Sequence, residues 1–191
     1  ERTVRLSNGT VLARTERTTA QSADRRLARG RRLVESPDRS WRSGWWRNAT
    51  AQYLQRESDD RGTYYNYVSM DGTPTPETLP GEELLAEGVR RLADEPVTVR
   101  VLDDGRYRVR AVDLTAEGFL QSNQTLSLVV DEHGRISTYR FAYDDYYEGR
   151  DVRVVETVRV GRVGETTVER PDWLPTAVEE TRPARANRTA T

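Results

Sequence analysis

Apolar residues recur at every second position over most of this chain, and in one stretch only at the spacing of a helix. Leu126, Leu128 and Val130 alternate with smaller or polar neighbours until Asp131-Glu132-His133-Gly134 interrupts them, which is how a half-buried strand meets a turn. The return run over Ile136 to Tyr143 places Tyr139, Phe141 and Tyr143 on one face and Thr138 and Arg140 on the other. After a connection over Asp144 to Arg150, Val152, Val154, Val158 and Val160 share a face that Glu156 interrupts. The pattern from Thr125 to Leu174 therefore predicts an antiparallel meander of three to four strands.

The same period appears earlier. Asn8-Gly9 between alternating runs over 3–15 is a strong hairpin signal, and a two-residue turn there pairs Leu6 with Val11 and Val4 with Ala13. From Thr15 to Ser36 the pattern fits a strand bent at Gly30, or a helix around Ala23 to Arg29, ended in either case by Ser36-Pro37-Asp38. Trp41 and Trp45-Trp46 follow, then a hairpin over Ala51 to Met70 turning at Asp59-Asp60-Arg61-Gly62. The Pro/Thr-rich residues 71–80 form a connection without regular structure.

Gly81 to Asp94 is the predicted helix. Acidic residues open it, Arg90-Arg91 close it, and Leu85, Val89 and Leu92 make one apolar stripe, widened by Leu84 and Ala93. Val97, Val99 and Val101 then pair with Tyr107, Val109 and Ala111 across Asp103-Asp104-Gly105, a turn that in the sequence resembles the one at Asp131 with one residue fewer. Residues 114–123 bridge the two hairpins, and periodicity is lost past Pro175.

Composition narrows the class. With 191 residues, 35% hydrophobic and 32% charged, the chain is long enough for one core but must use its apolar residues sparingly, as in a sheet with one wet face. The expectation is an α+β, mostly β domain over residues 1–177, with a curved antiparallel sheet around one main helix and a flexible tail over 178–191. All 30 basic residues are arginine, yet 31 acidic residues bring the net charge to −1, so overall charge implies no nucleic-acid partner. The local clusters Arg25-Arg26 and Arg29 to Arg32 read as a solvated face. No cysteine is present, which excludes disulfides, thiol catalysis and cysteine-ligated metal. The opening at Glu1, inside a strand-like pattern, suggests the mature part of a longer chain.

Candidate chemistry is sparse. His133, the one histidine, falls at a hairpin tip, where no third group orients it as a base. The acidic pairs Asp59-Asp60, Asp103-Asp104 and Asp144-Asp145 lack the spaced oxygen ladder of a calcium loop. No phosphate loop, nucleophile elbow or zincin motif occurs, so the reading is non-enzymatic, with no catalytic residue, metal or cofactor. The aromatic set carries more weight. Trp45, Trp46, Tyr65, Phe141 and Tyr143, with Leu85 and Val89 of the helix, are the candidate lining of a hydrophobic-ligand site between sheet and helix. The alternative is that the helix fills that face. Sequons at Asn8, Asn48, Asn123 and Asn187 suit a glycosylated surface protein.

Three stretches carry a resemblance: Asn8-Gly9-Thr10, Val130-Asp131-Glu132-His133-Gly134-Arg135-Ile136, and the ending Gly164-Glu165-Thr166-Thr167-Val168-Glu169-Arg170-Pro171-Asp172-Trp173. In their order the chain resembles uncharacterised haloarchaeal cell-surface lipoproteins, whose predicted shape is similar to the half-barrel of LolA/LppX-type lipoprotein carriers. That resemblance implies an extracytoplasmic module, anchored to the membrane through an N-terminal lipid, that holds a lipid or lipoprotein acyl chain. The competing expectation is a structural or interaction domain of the envelope with a filled core and no small-molecule ligand.

Overall fold

The computed structural model describes residues 1–24, 26–70, 82–93, 95–114 and 121–182. The expected connection over 71–80, most of the bridge over 114–123 and the tail from 183 onward lie outside the described residues. The strands are β1 (Arg2–Leu6), β2 (Val11–Gln21), β3 (Ala28–Ser36), β4 (Arg39–Arg47), β5 (Ala51–Ser58), β6 (Gly62–Ser69), β7 (Thr98–Val101), β8 (Tyr107–Val112), β9 (Ser122–Val130), β10 (Ile136–Tyr147) and β11 (Arg150–Arg159). Among the described residues two helices join them, α1 (Glu82–Ala93) and α2 (Leu174–Glu180). The protein is mostly β, with antiparallel pairing in every register described.

The chain forms two compact units. The first comprises Glu1–Arg14 and Thr78–Gly161, the second Thr15–Glu77 and Arg162–Thr191. In the first unit the strands are ordered β1-β11-β10-β9-β8-β7, and in the second β3-β4-β5-β6; neither order returns to its starting strand. The helix considered around Ala23 to Arg29 is absent from the described residues, because β3 begins at Ala28 and pairs with β4 from Ala28↔Arg47 to Ser36↔Arg39.

Turn chemistry corrects one register. Leu6 N–H donates to Thr10 O at 2.9 Å and Gly9 N–H to Leu6 O at 2.9 Å, with Gly9 at φ +88°, so the first hairpin turns through three residues. Leu6 therefore faces Thr10 instead of Val11, and the slip of one position exchanges the faces of β2. Val11 is 42% exposed, while Leu12 packs on the core. Leu102 with Arg106 and Asp131 with Arg135 repeat the same pair of bonds around Gly105 and Gly134, both in the left-handed region. The two later turns are thus equal in length, with Leu102 standing where Asp131 does.

In the first unit, Val4, Leu126, Leu128, Tyr139, Phe141, Tyr143, Val152 and Val154 form the core. Helix α1 lies on it through Leu85, Gly88 and Leu92. The expected stripe is corrected at Val89, which is 48% exposed: Gly88 faces the sheet because a Cβ there would fall 2.6 Å from Cε2 of the Tyr139 ring. A bare backbone lets the helix sit flat on that ring.

In the second unit, Trp46, Ala51 and Tyr53 pack against Val168, Leu174 and Ala177. The C-terminal stretch is therefore cover for a sheet face. Its residues from Gly161 to Trp173 are not a further strand of the meander, and Val160 lies past the end of β11. The expected boundary at 177 falls inside α2, whose last turn is capped by Thr181, with its hydroxyl and N–H both donating to Ala177 O at 2.7 and 3.1 Å.

Candidate functional site

The seven residues expected to line one ligand site divide between the units: Leu85, Val89, Phe141 and Tyr143 lie in the first, Trp45, Trp46 and Tyr65 in the second. Each group has its own geometry.

In the first unit the registers set the apolar side chains in cross-strand rows. One runs Val99, Val109, Leu128, Tyr139, Val158; the next runs Val101, Tyr107, Val130, Ile136. The rows start in the core and end in solvent. Leu128 and Tyr139 are buried under the reach of α1, whereas Tyr107 is 40%, Val99 58% and Val101 63% exposed. Exposed large apolar side chains in register on one face form a patch, not scattered surface residues. Phe141 and Tyr143 are buried in ring contact, centroids 5.0 Å apart, and the guanidinium of Arg91 lies 5.1 Å above the Phe141 ring, itself held by Glu87 at 3.0 Å. Burial pushes the Tyr139 and Tyr143 hydroxyls upward in pKa, assisted by the Glu156 carboxylate, so both stay neutral.

Gln124 breaks the apolar character of this face. It follows the parity of Leu126 and Leu128, is almost fully buried, and donates through Nε2 to Gln121 O at 3.2 Å, while its Oε1 accepts no hydrogen bond from a described residue. A buried carbonyl without a donor is costly, on the order of 1–3 kcal/mol.

In the second unit, adjacent Trp45 and Trp46 point to opposite sides of β4. Trp46 pairs with Tyr53, which pairs with Tyr67, and the Arg170 guanidinium stands 5.9 Å over the Trp46 ring. Tyr65 meets Trp173 at 6.4 Å between ring centroids, and Trp173 in turn lies across Gly44. On the other side Trp45 crosses Gly30, where a Cβ would clash with its indole. Trp46 and Tyr65 are thus occupied by the chain's own C-terminal segment.

Trp41, noted in the sequence with Trp45 and Trp46, has neighbours in this unit that the sequence did not show. Arg32 of β3 and Arg56 of β5 stack on its ring at 5.2 and 4.5 Å, as expected for cations on strands flanking an indole. Beside it a cleft of about 380 Å³ is lined by Asp38, Arg39, Trp41, Arg56, Asp60 and Tyr64, among others. The Asp60 carboxyl sits below its usual range, held there by the Ser58 hydroxyl and by Arg61 and Arg56. Guanidinium and carboxylate groups face one another around this cleft, with Trp41 and Tyr64 as its aromatic lining.

Asn8 and Asn48 use Oδ1 to accept the N–H of Thr10 and Thr50, both at 3.0 Å, and their Nδ2 atoms bond no described residue. Asn123 differs, because its Nδ2 donates to Asp144 Oδ2 at 2.5 Å. Asp144 is also held by Arg153 at 2.7 Å, so its carboxylate is committed to protein partners. No cluster of metal-ligating side chains occurs among the described residues. Compared with family models, curated proteins and solved structures, the chain matches none.

Proposed function

We propose that the protein is a non-enzymatic, extracytoplasmic, membrane-tethered binding module for a lipid or other acyl-bearing molecule, held on the apolar face of the first unit beside α1. The observation that carries this reading is the row structure: one continuous apolar face is buried at Leu128 and Tyr139 and open at Val99, Val101 and Tyr107. An acyl chain laid along the open end removes that surface from water at about 25 cal/mol per Å². The unpaired Gln124 carbonyl supplies a buried acceptor for the hydroxyl or amide of such an amphiphile. In this reading the strands of the first unit curve as a half-barrel around α1, as in the cell-surface lipoproteins and lipoprotein carriers that the sequence resembles.

A second reading has its own support. Gly88 rests on Tyr139 without space for a methyl group, and Phe141 and Tyr143 are sealed, which suits an envelope interaction domain whose core admits no ligand. Displacement of a fluorescent fatty-acid probe separates the two. Saturable binding that weakens in Val99→Asp and Val101→Asp supports the binding module. Absence of saturable binding by the folded protein rejects it and leaves the interaction domain.

A further inference from the structure

The opposite face of the same strands is of another kind. Because pairing puts directly opposed residues on one side, two adjacent rows can be read from the registers. The first is Arg100, Arg108, Val129, Thr138, Arg159; the second is Thr98, Arg110, Ser127, Arg140, Thr157. Five arginines thus share one side of four strands, and all five are exposed. None makes an ion pair with a described residue, and no carboxylate stands between them in either row. Glu1, paired with Thr157 through two backbone bonds, extends the second row beyond the arginines, and its carboxylate is taken by Arg14 at 3.3 Å and by the Thr3 hydroxyl. Farther along β10 and β11, Asp144 is engaged by Arg153, and Asp104 at the β7–β8 turn is engaged by Arg106 at 2.5 Å.

Such an arrangement is unfavourable for the folded protein alone. Arg100 stands directly opposite Arg108, and like charges facing each other across strands are destabilising. A face kept only for solubility mixes signs. One sign, without internal neutralisation, in a chain of net charge −1, requires a counter-charge from outside.

The positions between the arginines decide the type of polyanion. They are Val129, which is buried, and the hydroxyl residues Thr98, Ser127, Thr138 and Thr157. No aromatic side chain stands in either row, so unstacked bases find no platform, which single-stranded nucleic acid uses for much of its affinity. Within these two rows no large apolar side chain protrudes to enter a bilayer, and in the row beside them the single exposed one is Val112. Guanidiniums suit carboxylate or sulfate groups by paired N–H donation, and hydroxyls between them suit sugar hydroxyls.

We propose that this arginine face binds an anionic polysaccharide, with its acidic groups on Arg100, Arg108, Arg110, Arg140 and Arg159 and its hydroxyls on the intervening Ser and Thr side chains. The site is independent of the apolar face and stands whether or not a lipid binds there.

The test measures binding of the whole chain to polygalacturonate and dextran sulfate, with neutral dextran, single-stranded DNA and phosphatidylglycerol vesicles beside them. Saturable binding to the acidic polysaccharides and none to neutral dextran is expected. A triple variant, R108Q/R110Q/R140Q, should bind at least about tenfold more weakly, and its slope of log affinity against log salt should be shallower by about three units. Its melting temperature should not fall, since only exposed, mutually repelling charges are removed. Arg100→Gln with Arg159→Gln, at the two ends of the first row, gives an independent variant with the same expected direction. No binding to either polysaccharide overturns the proposal, as does binding that both folded variants retain in full. Tighter binding to single-stranded DNA or to the vesicles at equal charge assigns the face to that polyanion instead and equally overturns it.

Discussion

The two units solve one problem in different ways. Each has a sheet face rich in large side chains, and in each a glycine beneath an aromatic ring sets how closely the covering layer approaches. In the first unit the glycine is Gly88 of the cover, α1, and the ring is Tyr139 of the sheet; in the second, the glycine is Gly44 of the sheet and the ring is Trp173 of the cover. The difference lies in reach. The second unit's cover brings Val168, Trp173, Leu174 and Ala177 onto Trp46, Tyr53 and Tyr65, so its aromatics are occupied by the chain itself. The twelve-residue α1 leaves Val99, Val101 and Tyr107 open. A face left partly uncovered is where an external apolar group can be taken up, and the better aromatic candidates were the closed ones.

The strongest way to sharpen this contrast is to truncate covered and uncovered positions of one face. Leu126 is 0% exposed, and Leu126→Ala should lower the unfolding free energy by about 2–5 kcal/mol through lost transfer energy and a cavity. Val101→Ala, at the open end, should stay within about 0.5 kcal/mol. Denaturant titration of both variants checks this. Equal losses would mean that Val101 is covered in solution and that the open face does not exist.

Next in size is the glycine under each cover. Gly88→Val forces a side chain into the buried Tyr139 ring and should cost about 1–3 kcal/mol, with loss of α1 from the sheet visible in amide exchange. Gly44→Ala meets Trp173 Nε1 at 3.2 Å, a contact that a half-buried indole relieves by a small shift, so its cost should remain below about 1 kcal/mol. The reverse order of effects would show that α1 docks loosely and the C-terminal cover tightly.

Much of the strand order was legible from period two alone, since alternation at Leu126 to Val130 and Tyr139 to Tyr143 reports directly which side chains face a core. The first hairpin's register was not. Asn8-Gly9 fits both a two-residue turn and a three-residue turn with glycine last, and the choice moves Val11 from inside to outside. The role of residues 162–181 was also hidden, because a cover segment with Trp173, Leu174 and Ala177 at irregular spacing has no period to detect. Local clusters drew attention to Arg29 to Arg32, while the five arginines that share a face come from four strands and are never adjacent in sequence. Only pairing assembles them. The stack of Arg32 and Arg56 on Trp41 is invisible for the same reason.

The smallest expected effect concerns the carboxylate that interrupts the positive face. Burial pushes the Asp144 carboxyl up, but the Asn123 amide and the Arg153 guanidinium pull it further the other way, leaving it below its ordinary value. A carboxyl depressed in the folded state stabilises fully above its unfolded pKa, near 4, and loses that contribution as pH falls through the folded value. Asp144→Asn should therefore be less stable than the parent at neutral pH, and the gap should close as pH falls from about 5 to below 3. Since some two-fifths of the carboxylate is open to solvent, the gap should stay under about 1 kcal/mol. A gap that persists unchanged to low pH would show that Asp144 acts through shape or hydrogen bonding rather than charge. The same pair bears on glycosylation: a glycan on Asn123 must take Nδ2 from Asp144, a competition that Asn8 and Asn48 do not face. Asp144→Asn also removes a bonded carboxylate from the arginine face and leaves Arg153 without its ion-pair partner.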